Sequence, residues 1–320
     1  MVRDKTLDIT KGIGIILVII GHFSFLPLQV WKFIFSFHMP LFFIVSGYLF
    51  KPKGIKESLS KDFKRLMIPY FVTCLIILAF YLAYWLKSGD GSQFNYYLIA
   101  SLVGNGSKNH ECMFLSNLPS IGAIWFFPAL LVCRNVYGAL RPNKRLLWSA
   151  IIFVLATLLG RYVIFNPFSV LSGLSAILFF AIGDRLKEVR HIRAPIWVFG
   201  GLCWVVCLLF STLSLARPRL DFYFLDVIGA TFATLSVYLL LRSFSGMDCL
   251  AKPLSWLGQQ SLSVLCFHLI DLDCGLSGMI NLWGDQWITC VLRFLFPIGG
   301  TLCLSLYKRY INNHSLGHTF

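Results

Sequence analysis

The chain has 320 residues and a net charge of +14; 57% of it is hydrophobic and 16% aromatic, but only 13% is charged. A soluble domain carries about 25% charged residues, so this composition excludes a water-soluble globular protein. Basic loops at a membrane face account for the positive charge without nucleic acid as a partner. The apolar residues fall in blocks of roughly 15 to 22, the length a bilayer demands, and the alternating pattern of a membrane barrel is absent.

The fold class that follows is all-α: a polytopic integral membrane protein of about ten transmembrane helices. The blocks predict spans over 12–30, 33–50, 68–86, 121–140, 146–164, 168–183, 194–216, 222–241, 254–272 and 286–306. Segments on the side of the N-terminus hold 20 Lys and Arg, and those on the opposite side hold 6. By the positive-inside rule both termini are then cytoplasmic. The first apolar run leads into Gly21-His22 with no small-x-small cleavage site, so it is expected to remain as a helix. Residues 1–320 are expected to form one transmembrane domain with no fused soluble domain. Most of the ten cysteines fall inside spans as small apolar fillers. Cys112 and Cys274 both fall outside, and whether they pair is left open.

In span 1, the stretch KGIGIILVIIGH sets Lys11 and His22 eleven positions apart. On a helix that is one face and a rise of about 16 Å, roughly half a bilayer. A shared face favours a functional track, against a snorkelling lysine anchor and a histidine that merely packs. Asp8, three residues before Lys11, is placed to pair with it. In span 2, His38 precedes Pro40, whose freed backbone groups give that histidine a structural alternative. Lys64 and Arg65, in KRLMIPYF, open span 3, where an interfacial anchor is the plainer reading. His268 lies towards the outer end of span 9, with packing and function evenly balanced. Arg134, Arg161 and Arg293, in or near spans, each need a carboxylate, a carbonyl or a watery cavity. Among the three span histidines no HxxxH or HxxE pair occurs, so no metal site is expected. A GxSxG elbow and a Walker-type loop are also missing from the sequence.

Together these segments resemble the membrane-bound acyltransferase-3 family, in the branch of fucose 4-O-acetylase-like proteins and polysaccharide O-acetyltransferases. The similarity rests on Lys11 and His22 in span 1, FSFHMPLFFIVSGYLF (Phe35 to Phe50), KRLMIPYF (Lys64 to Phe71), AIWFFPALL (Ala123 to Leu131) and GQQSLSVLCFHL (Gly258 to Leu269). Lys11 stands where the family often has arginine, and a lysine cannot form a bidentate fork. The resemblance implies an O-acyltransferase in a bacterial cell membrane. Its donor would be an acyl-CoA, acetyl-CoA first and succinyl-CoA second, with no bound cofactor. Its acceptor would be a hydroxyl of a cell-surface or lipid-linked glycan. His22 is implied as general base or as nucleophile, with His38 assisting. Lys11, Arg65 and Lys64 would hold donor phosphates, and His268, Trp125 and Arg161 are acceptor-side or structural candidates. The alternative is a transporter or flippase with the histidines as a proton relay. It expects inverted repeats or paired broken helices, and neither is evident.

Overall fold

Asp4 starts the first helix: its carboxylate accepts the N–H groups of Thr6 (2.9 Å) and Leu7 (3.3 Å), as an N-cap should. That helix, α1 (Lys5–Gly21), stops at His22, whose φ/ψ of −99°/8° is no longer helical. Pro27 then opens α2 (Leu28–Phe35), and α3 (His38–Tyr48) follows after a short break. The computed structural model describes residues 4–107, 118–162, 166–189, 191–244, 246–280 and 286–315, with the side chains of residues 161, 244, 280 and 312–315 excepted. The proposed partner of Cys274, Cys112, and the side chain of Arg161 therefore lie outside the described residues.

The remaining helices are α4 (Ile55–Asp62), α5 (Ile68–Ser88), α6 (Ser92–Val103), α7 (Phe126–Ala139) and α8 (Arg145–Tyr162). They are followed by α9 (Val170–Ser175), α10 (Ile177–Leu186), α11 (Ala194–Phe210), α12 (Phe224–Phe244), α13 (Asp248–Gln259), α14 (Ser261–Cys274), α15 (Leu276–Ile280) and α16 (Gln286–Ser315). A π turn over Phe63–Met67 joins α4 to α5, and a 3₁₀ turn over Gly122–Trp125 leads into α7. Among the described residues the only sheet is the antiparallel pair β1 (Leu213–Ser214) and β2 (Arg219–Leu220).

Among the described residues, five helices are long and apolar enough to cross a membrane: 28–48, 55–88, 142–160, 224–243 and 286–311. The pair α9 and α10, bent by 48°, makes a sixth if taken as one span. The other four expected spans are shorter or interrupted. Span 1 ends at Gly21 rather than 30: Pro27 bars a single helix from running through to 30, and the chain begins a second helix after it. Span 4 is helical only from Phe126 after its 3₁₀ turn. Span 7 stops at Phe210, and its expected last residues form the β hairpin instead. Span 9 breaks at Gln260.

An aromatic core of Phe37, Phe43, Phe127, Phe179, Phe180, Tyr70 and Tyr137 fills the bundle. The outer faces of α5, α11 and α16 expose Leu75, Leu86, Val198, Phe210 and Leu295, as a lipid-facing surface requires. Several helix crossings depend on glycine, two of them with the closest backbone approach. A Cβ at Gly47 would lie 2.0 Å from Phe180 O, and one at Gly258 would lie 1.7 Å from Asp8 O. Small residues let backbones approach this closely, and the second crossing locks α1 along α13 beside the charged residues described next.

Candidate active site

Two cavities lie back to back in the bundle. The larger, about 310 Å³, is lined by His22, His38 and Trp125, with Ser120 and Ser214 among its polar neighbours. The smaller, about 70 Å³, is lined by Lys11, Arg65, Arg134, Asp62 and Gln259. Phe42, Phe126, Ser261 and Leu262 line both. The wall between them is thus four side chains, with the Phe42 and Phe126 ring centroids 5.7 Å apart.

Local geometry fixes the two cavity histidines. His22, at the end of α1, donates Nδ1–H to Val18 O (2.7 Å). His38, at the start of α3, donates Nδ1–H to Ile34 O (2.8 Å). A carbonyl only accepts, so each neutral ring carries its proton on Nδ1 and its lone pair on Nε2. The Phe35 ring packs against both, with centroids 4.6 Å from His38 and 6.3 Å from His22. The result is two imidazole acceptors on one cavity, each with its tautomer set by the backbone four residues earlier.

His268 is fully buried, and its ring meets that of His22 edge-on at 5.2 Å. It supports His22 and is absent from the cavity lining. Trp125 is 5% exposed and does line the cavity. The π turn carries both Lys64 and Arg65, both exposed, but only Arg65 borders the smaller cavity. Arg161 falls in the last turn of α8. The expected pairing of Lys11 with Asp8 is present at 2.8 Å, and Gln259 Nε2 reaches the second oxygen of Asp8 at 3.4 Å.

Arg134 finds its carboxylate in Asp62, Nε to Oδ2 3.0 Å. Arg293 faces Asp271 at 3.8 Å, and the other Asp271 oxygen takes the N–H and the hydroxyl of Ser277. Around the smaller cavity three cations therefore face two carboxylates, counting Asp8 beside Lys11. Arg65 makes no ion pair among the described residues, so the cluster keeps a net positive charge for an anionic group. The same count makes Asp62 a structural necessity. Asp62→Ala leaves the part-buried Arg134 without its partner and should destabilise the protein by about 2 kcal/mol. The double variant Asp62→Ala/Arg134→Leu should recover much of that loss, which thermal unfolding in detergent would measure.

The comparisons with known proteins fit this geometry. The family model of the acyltransferase-3 type, described as an acyltransferase domain, matches residues 4–309. The chain belongs to that family. It is similar to the nodulation protein NolL of Sinorhizobium fredii, 36% identical over 89 residues, which is 23% of this chain and 24% of the relative. NolL of Mesorhizobium japonicum is 35% identical over the same length and shares. The chain thus spans about a quarter of the length of the curated relatives it matches. No solved structure matches it.

For this acyltransferase-family membrane protein, the residues that sequence reasoning left out are Asp62, Ser261 and the pair Phe42 and Phe126. Asp62 had one usable signal, since a span arginine such as Arg134 must find a carboxylate. The wall residues had none, because which side chains face each other across helices is not written in helical period.

Proposed function

We propose that the protein transfers an acyl group, acetyl in the simplest case, from cytoplasmic acyl-CoA to a hydroxyl of a cell-surface or lipid-linked glycan. The observation that carries this reading is the adjacency of the two cavities: a net cationic one backs directly onto one holding two imidazole Nε2 acceptors. Donor phosphates are held at Lys11 and Arg65, where charge-assisted bonds are strongest. The pantetheine arm follows the shared wall and brings the thioester to the histidine cavity. His22 Nε2 takes the proton of the sugar hydroxyl as its oxygen attacks the thioester carbon. That proton then passes to the departing CoA sulfur. His38 Nε2 accepts from a second hydroxyl and orients the sugar against Trp125.

The bias of Lys and Arg supports ten spans with both termini in the cytoplasm, which places the cationic cavity on the CoA side. The rhizobial relatives support a bacterial cell membrane. The test is everted membrane vesicles from the native host, given labelled acetyl-CoA, with label counted in the glycan fraction. Label above that of a deletion strain is expected, and its absence would overturn the reading. Within the same assay, Lys11→Ala and Arg65→Ala should each raise the KM for acetyl-CoA about tenfold with kcat largely kept, as loss of a charged contact does. An unchanged KM in both variants would remove these residues from donor binding.

A further inference from the structure

The apolar run over 254–272 reads as one span, yet the chain breaks it at Gln260 (φ −96°, ψ 8°). Gln260 N–H bonds Trp256 O at 3.0 Å, and Gln260 O takes Val264 N–H at 3.0 Å. Both are ordinary i→i−4 bonds, so the break is a bend of one residue, and α14 resumes at Ser261 with no side chain capping it. One observation at this bend points to a ligand. Ser261 is 9% exposed, lines both cavities, and is the only polar side chain on their shared wall. Its hydroxyl makes no hydrogen bond among the described residues.

We propose that Ser261 Oγ–H is the oxyanion-stabilising donor for the thioester carbonyl. This assignment rests on the acyl-transfer reading above. When the sugar oxygen bonds to the carbonyl carbon, the C=O electron pair moves onto oxygen and His22 holds the hydroxyl proton. The intermediate then collapses: the C–S bond breaks, the ester carbonyl re-forms, and His22 returns the proton to the sulfur. The negative charge in between arises in a site from which water is largely excluded. Among the described residues the histidine cavity is lined by no lysine and no arginine. Neutral donors fixed in advance must therefore meet that charge, and such donors act where reorganisation is not needed. The wall between the cavities is where a carbonyl lies when its CoA is on one side and its acceptor on the other.

The experiment compares wild type, Ser261→Ala, Ser261→Cys and Ser261→Thr in the vesicle assay at matched expression, with acetyl-CoA titrated. Loss of one oxyanion donor costs about 100-fold in kcat. We expect Ser261→Ala to lose that factor in kcat with KM for acetyl-CoA within threefold of wild type. Ser261→Thr should restore most of it, and Ser261→Cys, a weaker donor, should fall between. A role in packing alone would not divide kcat from KM or be rescued by a hydroxyl. Ser261→Ala within threefold of wild-type kcat would overturn the assignment. Were the alanine variant to fail to fold, a cysteine variant at the wild-type rate would overturn it equally. Wild type that transfers from no acyl-CoA would overturn the acyltransferase reading itself, a different failure from active wild type with an indifferent Ser261.

Discussion

His22→Ala should lower acyl transfer by about 1,000-fold or more while the protein still inserts and still binds donor. A positioned general base contributes about 100- to 10,000-fold, and the upper part of that range applies because few substitutes are at hand. Nδ1 of His22 is committed to Val18 O, so Nε2 is the atom that faces the cavity. His38 presents the same atom from α3, and its loss should cost less, about tenfold, because it orients rather than accepts the proton in flight. His268, edge-on to His22, does not border the cavity and cannot replace it. The measurement is initial rate in everted vesicles, with retention of a labelled non-reactive acyl-CoA thioether as the binding control. Transfer by His22→Ala within tenfold of wild type would sink the role assigned to His22. Lost binding together with lost transfer would instead make the residue structural. Single turnover without acceptor separates the remaining two routes, since only a nucleophilic His22 would retain labelled acyl group on the protein.

Much of this site is legible in the sequence, and the parts that are not share one cause. Lys11, Asp8 and His22 lie on a single helix, so helical spacing alone relates them, and the Lys11–Asp8 pair is where that spacing puts it. His38 and Arg65 stand out because ionisable groups are costly in apolar blocks. The π turn that carries Arg65 leaves no mark in the hydrophobic pattern, since one extra residue per turn scarcely alters an apolar block. The end of α1 at His22 was obscured by the apolar residues Phe23, Phe25 and Leu26, which keep hydropathy high between the end of α1 and the start of α2 after Pro27. The hairpin of β1 and β2 was hidden the same way behind Leu213 and Leu215. Arg134 and Asp62 lie 72 residues apart, and only the packing of α7 on α4 brings them together. Hydropathy thus reports what is buried or in lipid, while breaks in helices and contacts between them decide what a buried residue faces.

The crossing of α1 and α13 gives the second large effect, on stability rather than chemistry. A methyl group at Gly258 would sit 1.7 Å from Asp8 O and 2.9 Å from Gly12 N, and one at Gly12 would sit 2.1 Å from Leu254 O. All three contacts are with backbone, so no side chain can turn aside and the helices themselves must separate. Gly258→Ala should therefore cost about 3 kcal/mol or more, the upper part of what overpacking costs, against an expected gain of under about 1 kcal/mol from helix propensity alone. Gly201→Ala on α11 is the matched control, because a Cβ there meets nothing within 4 Å, and it should melt at or slightly above wild type. Thermal unfolding in detergent reads both, and Gly258→Ala melting within about 2 °C of wild type would refute the close crossing. The same separation would draw Gln259 away from Asp8 and widen the cationic cavity. A partly folded Gly258→Ala should for that reason lose donor affinity before it loses the geometry of His22, which is held by the bond to Val18 within α1 itself.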